Sequence, residues 1–228
     1  MFLIIQNDPE CPPGSLTSLL ESAGEPYRCE HAYAKEALPD PASCTGVIVL
    51  GGDMGAHDTG RFPYLLTVGD FMLRTHAAGI PLLGICLGGQ LLAKVTGGLV
   101  SSPSPHGEKG ICRVLLNEAG AADPLFAGVD RAFVTFQLHN DSFTPPAGAT
   151  LLAGSPACPA QAFRLGTATY GVQFHPEVDR AIVSSWGALS NPPCDFLTGF
   201  RFEEEAFRAS STAILSNFIS LALATRIP

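Results

Sequence analysis

An α/β fold is what this sequence predicts, and three observations carry it. Residues 2–6, 47–50 and 81–85 are almost wholly apolar, as strands buried on both faces are. Stretches with helical spacing follow them. After residue 110 the pattern changes to short strand-like runs separated by turn residues.

Taken in order, residues 2–6 read as a buried first strand. Residues 15–23 have the spacing of a short helix that Gly24 stops. Residues 47–50 form a second apolar run, ending in Gly51-Gly52. Residues 63–78 read as a helix closed by Gly79, residues 81–85 as a strand and residues 88–96 as the helix after it. Apolar strands alternating with helices imply a mostly parallel sheet with helices on both faces. Residues 112–116, 132–138, 150–153, 160–164 and 169–174 then read as strands of an antiparallel insertion, with a hairpin connection at 165–167. Residues 189–200 are interrupted by Pro192, Pro193 and Gly199 and read as a loop. Residues 203–223, apolar at Ala206, Ile214, Phe218 and Leu221, fit a closing helix. There is no internal repeat. The 228 residues are expected to form one domain over 1–228.

Composition excludes several function classes. The formal net charge is −8, with no basic run, so no nucleic-acid partner is expected. The seven cysteines are scattered, odd in number, and without a CxxC or a Cys/His cluster. Neither a disulfide framework nor a metal site is expected. The apolar run at residues 2–5 is too short for a signal peptide, and nothing approaches the roughly 20 apolar residues of a membrane span. The expectation is a soluble, cytoplasmic protein with no membrane partner, in a compartment that keeps a thiol reduced.

The chemistry concentrates in two segments. Gly84-Ile85-Cys86-Leu87-Gly88-Gly89-Gln90 runs from an apolar strand into a helix, with glycines two before and two after the cysteine. That spacing suits a nucleophile on a sharp strand-to-helix turn. The helix N-terminus beneath it favours a thiolate and an oxyanion. A small buried cysteine in a Gly-rich turn has the same pattern. The second segment is Gly171-Val172-Gln173-Phe174-His175-Pro176-Glu177, a strand ending in His-Pro-Glu. Residues two apart in an extended chain point to one side, and Pro176 biases His175 towards extension. Glu177 can then orient the His175 imidazole, the base-plus-orienter half of a Cys-His-Glu triad. An ordinary strand end with a surface His and Glu reads identically.

Together these segments resemble the class I glutamine amidotransferases. The order of Gly51-Gly52, then Cys86, then His175-x-Glu177 matches that family. Gly51-Gly52-Asp53-Met54-Gly55-Ala56, Leu138-His139-Asn140-Asp141-Ser142-Phe143 and Gln161-Ala162-Phe163-Arg164 are similar to its stand-alone, GMP-synthase-like branch. The resemblance covers roughly residues 46–187. Leu138 stands where the family usually has Trp, Asn140 where it has Gly, and Lys109 adds a charge inside a Glu-x-Gly segment. These departures bear on pocket shape rather than on the triad.

The resemblance implies a flavodoxin-like arrangement and hydrolysis of the glutamine side-chain amide through a thioester on Cys86. His175 and Glu177 complete the triad. The backbone N–H groups of Leu87 and Gly52 are expected to hold the oxyanion, while Gly51, Gln90, His139 and Asp141 contact the substrate. No cofactor or metal is needed. The expected partners are L-glutamine or a γ-glutamyl compound, and a separate synthetase subunit if ammonia is passed on. A free-standing γ-glutamyl hydrolase and a catalytically idle regulatory domain are the competing readings.

Overall fold

The structure is a computed structural model and describes residues 1–34 and 36–225. In chain order its elements are β1 (Phe2–Gln6), α1 (Ser15–Ser22), β2 (Tyr27–His31), β3 (Gly46–Val49), α2 (Tyr64–Ala77), β4 (Leu82–Ile85), α3 (Leu87–Val95), β5 (Leu99–Ser101), β6 (Glu108–Leu116), the short α4 (Glu118–Ala121), β7 (Ala132–His139), β8 (Ser142–Thr144), β9 (Thr150–Gly154), β10 (Ala162–Leu165), β11 (Thr169–Val172), α5 (Arg180–Leu189) and α6 (Phe196–Ala224).

Alternation along β1 shows how the layers arise. Phe2 and Ile4 enter the core on one side of the sheet, Leu3 and Ile5 the core on the other. The first core is closed by Leu16 and Leu20 of α1 and by Ile214, Phe218 and Ala222 of α6. The second is closed by Leu65, Val68 and Phe71 of α2 and Leu87, Leu91 and Leu92 of α3. Each such Leu, Ile, Val or Phe side chain contributes about 1.5–3 kcal/mol on burial. The sheet therefore carries helices on both faces, in a flavodoxin-like arrangement.

The main sheet has the order β2-β1-β3-β4-β11-β10-β9-β6-β7, while β5 and β8 pair separately. Strands β2, β1, β3, β4 and β11 run parallel. From β11 outward the pairings are antiparallel, so the expected insertion extends the parallel sheet along one edge. Strand β4 lies between β3 and β11, in the registers Val49↔Gly84 and Gly84↔Gly171. The segments leaving β3, β4 and β11 therefore emerge side by side.

Some element bounds differ from the sequence reading. The strand expected over 169–174 stops at Val172, and the segment carrying His175 and Glu177 turns beyond it. Part of the loop expected over 189–200 is helix: Asp195 accepts from the Thr198 N–H and starts α6 at Phe196. Gly199 is tolerated there because nothing packs against it. Helix α5 and strand β2 were not expected. No helix among the described residues is long and apolar enough to cross a membrane.

Candidate active site

Cys86 sits between β4 and α3 with φ 50° and ψ −107°, the one non-glycine residue with positive φ among those described. An L-residue held there is strained by about 1–3 kcal/mol, and such strain persists only where the surroundings enforce it. Here the enforcement is close backbone packing. A Cβ on Gly88 would lie 2.1 Å from the Val49 carbonyl oxygen, and one on Gly84 would lie 2.5 Å from that of Gly88. Glycine at both positions lets α3 start directly against β3 and β4. The turn is anchored where the Cys86 N–H donates to the Val172 carbonyl at 2.8 Å. Leu87 opens α3, so its N–H lies in the first turn, where no intrahelical acceptor exists.

Beyond β11 the chain brings His175 to the same place. His175 Nδ1 lies 2.8 Å from Glu177 Oε1, and both residues are 2% exposed. A carboxylate only accepts, so Nδ1 carries the proton and Nε2 is left for Cys86. Burial by itself lowers the basicity of His175. The charge of Glu177 and the Cys86 sulfur oppose that, raising its pKa from 6.5 to about 10. The expected pairing of His175 with Glu177 is present, formed on a turn rather than on a strand. The turn is held because the Glu177 carbonyl accepts from both the N–H (2.8 Å) and the hydroxyl (3.1 Å) of Ser15.

Gly51 and Gly52 follow β3 and complete the cluster. A Cβ on Gly51 would lie 3.0 Å from His175 Cε1 and 3.6 Å from Cys86 Cβ. The loop is fixed from below: Asn7 donates to the Leu50 carbonyl at 2.7 Å, and the Asp53 N–H donates to Asp8 at 3.0 Å. Gly52, Cys86, Gln90, His139, Asp141 and His175 all line one cavity of about 820 Å³. Gln90 is buried and donates to the Asp141 carbonyl at 3.3 Å. His139 Nδ1 lies 2.8 Å from that same carbonyl. The His139 ring thus holds the loop through Nδ1 alone, and Asp141 lines the cavity. Lys109, Leu138 and Asn140, the three departures noted in the sequence, line the same cavity.

The family model of the class I glutamine amidotransferases matches residues 20–181. The chain belongs to that family. It is 33% identical over 168 residues to the glutamine amidotransferase-like protein YfeJ of Salmonella typhimurium, covering 72% of this chain and 70% of that one. It is 39% identical over 168 residues to the glutamine-hydrolysing GMP synthase of Aeropyrum pernix, covering 69% of this chain but only 29% of that enzyme. The chain thus spans less than a third of that synthase's length. Among solved structures, a glutamine amidotransferase of Methylobacillus flagellatus superposes with a TM-score of 0.87 at 26% identity, over 96% of this chain and 94% of that one.

Two residues beside this cavity were not singled out by the sequence. Gln173, fully buried, donates to Cys86 Sγ at 3.6 Å. Trp186 on α5 packs edge-on against the His175 ring at 4.8 Å, and its indole N–H donates to the Glu10 carbonyl at 2.6 Å. A signal for α5 was present: Asp179 as an N-cap, then apolar Ile182, Val183 and Trp186 at helical spacing.

Proposed function

We propose that the chain hydrolyses the side-chain amide of L-glutamine or a γ-glutamyl compound through a thioester on Cys86. The observation that carries this reading is the strained Cys86 turn set against the buried His175–Glu177 pair. His175 holds the Cys86 proton as imidazolium, and the sulfur attacks the amide carbon. The N–H groups of Leu87 and Gly52 accommodate the oxyanion. Imidazolium then gives its proton to the amide nitrogen, the C–N bond breaks, and ammonia leaves. Water, deprotonated by His175, opens the thioester and returns the thiol. Asp141 holds the α-ammonium of the substrate, with Gln90 and His139 fixing the loop that carries it.

The ammonia has two fates. It reaches an acceptor on another chain if this chain serves a synthetase. A cavity of about 820 Å³ is larger than a free amino acid fills, which favours a bulkier γ-glutamyl amide or peptide as a second reading. The test is ammonia or amine release by the purified chain from glutamine, N-acetylglutamine and a panel of γ-glutamyl peptides. Turnover of at least one substrate with a free α-amino group, and none by Cys86→Ser, is the expected result. Equal turnover of glutamine and N-acetylglutamine would remove the role of Asp141, and activity in Cys86→Ser would remove the whole reading.

A further inference from the structure

Behind the pocket wall lies a cluster of which the proposed reaction uses only His139, and that only through Nδ1. Glu108 on β6, His139 at the end of β7 and Cys158 in the turn before β10 bring an oxygen, a nitrogen and a sulfur within 4.8 Å of one another. His139 reaches the pocket, but Glu108 and Cys158 do not line it. We infer that these three side chains form a binding site for a zinc-class divalent ion.

The state of His139 is the first argument. With Nδ1 donating to the Asp141 carbonyl at 2.8 Å, Nε2 presents a lone pair. That nitrogen is buried and has no hydrogen-bond partner, and the side chain is 1% exposed. Its neighbour, Glu108 Oε2, stands 3.7 Å away, beyond hydrogen-bond reach. Metal bonds of about 2.0–2.3 Å put tetrahedral ligands roughly 3.3–3.8 Å apart, so this separation suits two ligands of one ion.

The second argument is the support around the other two groups. Glu108 accepts from the Ser155 hydroxyl at 2.9 Å and from the Gln161 amide. The Ser155 hydroxyl in turn accepts from the Cys158 N–H at 2.8 Å, and the Ser155 N–H donates to the Cys158 carbonyl at 2.8 Å. The turn bearing the thiol is therefore tied to the strand bearing the carboxylate. Outer hydrogen bonds of this kind orient ligands. The Cys158 thiol itself faces the Ala160 carbonyl at 3.5 Å, and on binding it gives its proton to solvent as the sulfur–metal bond forms. One thiolate, one imidazole and one carboxylate are the donor set that zinc accepts and that magnesium or calcium does not. Residues 108, 139 and 158 are far apart in sequence, which is why no spacing motif announces them.

The test uses the full chain, chelator-stripped and reduced. Zinc titrated against a chromophoric chelator should bind with a stoichiometry of one. Cobalt in its place should give a thiolate-to-metal charge-transfer band. That band should survive in Cys86→Ser and disappear in Cys158→Ser, whose zinc affinity should fall by about 100-fold or more. Glu108→Gln should weaken binding with the metal-free fold unchanged by circular dichroism. X-ray absorption of the zinc-loaded wild type, which needs no variant to fold, should find one sulfur in the shell. A band lost in Cys86→Ser would place the ion on the nucleophile instead. A shell without sulfur, or no binding above that of a surface-histidine control protein, would overturn the site altogether.

Discussion

The side-chain amide of Gln173 donates to Cys86 Sγ at 3.6 Å, while its oxygen accepts from Gln90 at 3.4 Å. Gln90 thereby fixes which end of the Gln173 amide meets the sulfur. This donor fixes the direction in which the sulfur faces the pocket. Gln173→Leu keeps the volume and removes the donor. Misplacing a reacting atom by about 1 Å can cost about 100-fold in rate, so the variant should turn over substrate about tenfold or more slowly. An unchanged rate would mean that the amide only fills space.

Cys86 should be singled out by a glutamine-like electrophile. Cys11 also lines the cavity, but burial, with the charge of Asp8 and Cys86 beside it, pushes its thiol far up. Mass mapping after partial inactivation should find the label on Cys86 and not on Cys11. Equal labelling of the two would contradict this.

The strain at Cys86 predicts a gain from losing it. Glycine adopts φ 50° freely, whereas alanine does not. Cys86→Gly relieves about 1–3 kcal/mol of strain, of which about 0.4–1 kcal/mol is returned through the more flexible unfolded chain. The variant should be inactive yet more stable than Cys86→Ala by about 1 kcal/mol in chemical denaturation. Equal midpoints for the two variants would show that the turn is not strained.

Much of this arrangement was legible in the sequence, for physical reasons. β1, β3 and β4 are buried on both faces, so their apolar runs are unambiguous. The sharp turn between β4 and α3 was legible because close backbone approach at Gly84 and Gly88 admits only glycine. Edge strand β2 was missed because one flank is open and its residues Tyr-Arg-Cys-Glu-His are mixed. The start of α6 was hidden by Gly199, which a surface position tolerates. Gln173 stood inside a recognised segment without a role, since its partners Cys86 and Gln90 lie 87 and 83 residues away. Only the fold brings such groups together.

Gly51 tests how tightly the imidazole is held. Its backbone is not left-handed, so alanine adds no torsional strain, but its Cβ would stand 3.0 Å from His175 Cε1. The ring must give by a few tenths of an ångström. A misplacement of about 1 Å at a reacting group can cost about 100-fold in rate, and a shift of a few tenths correspondingly less, roughly 2- to 10-fold. Gly51→Ala should therefore lose turnover by about that factor while its urea midpoint hardly moves. A variant with full activity would show that the His175 position has slack.

The His175 pKa supplies a prediction about stability and pH. Burial opposes the charged ring, but Glu177 and the Cys86 sulfur outweigh it and raise the pKa from 6.5 to about 10. A group whose pKa is higher folded than unfolded stabilises the fold through its bound proton. That contribution is fully present below pH 6.5 and is lost as pH rises through about 10. His175→Gln lacks it at every pH. The wild type should therefore exceed His175→Gln in urea midpoint by most in mildly acidic buffer, with the gap narrowing steadily through the alkaline range. Fluorescence of Trp186, which packs against this ring at 4.8 Å, reports unfolding and the site together. If the gap instead widened with rising pH, the ring would be neutral in the folded protein, and there would be no ion pair between His175 and Glu177.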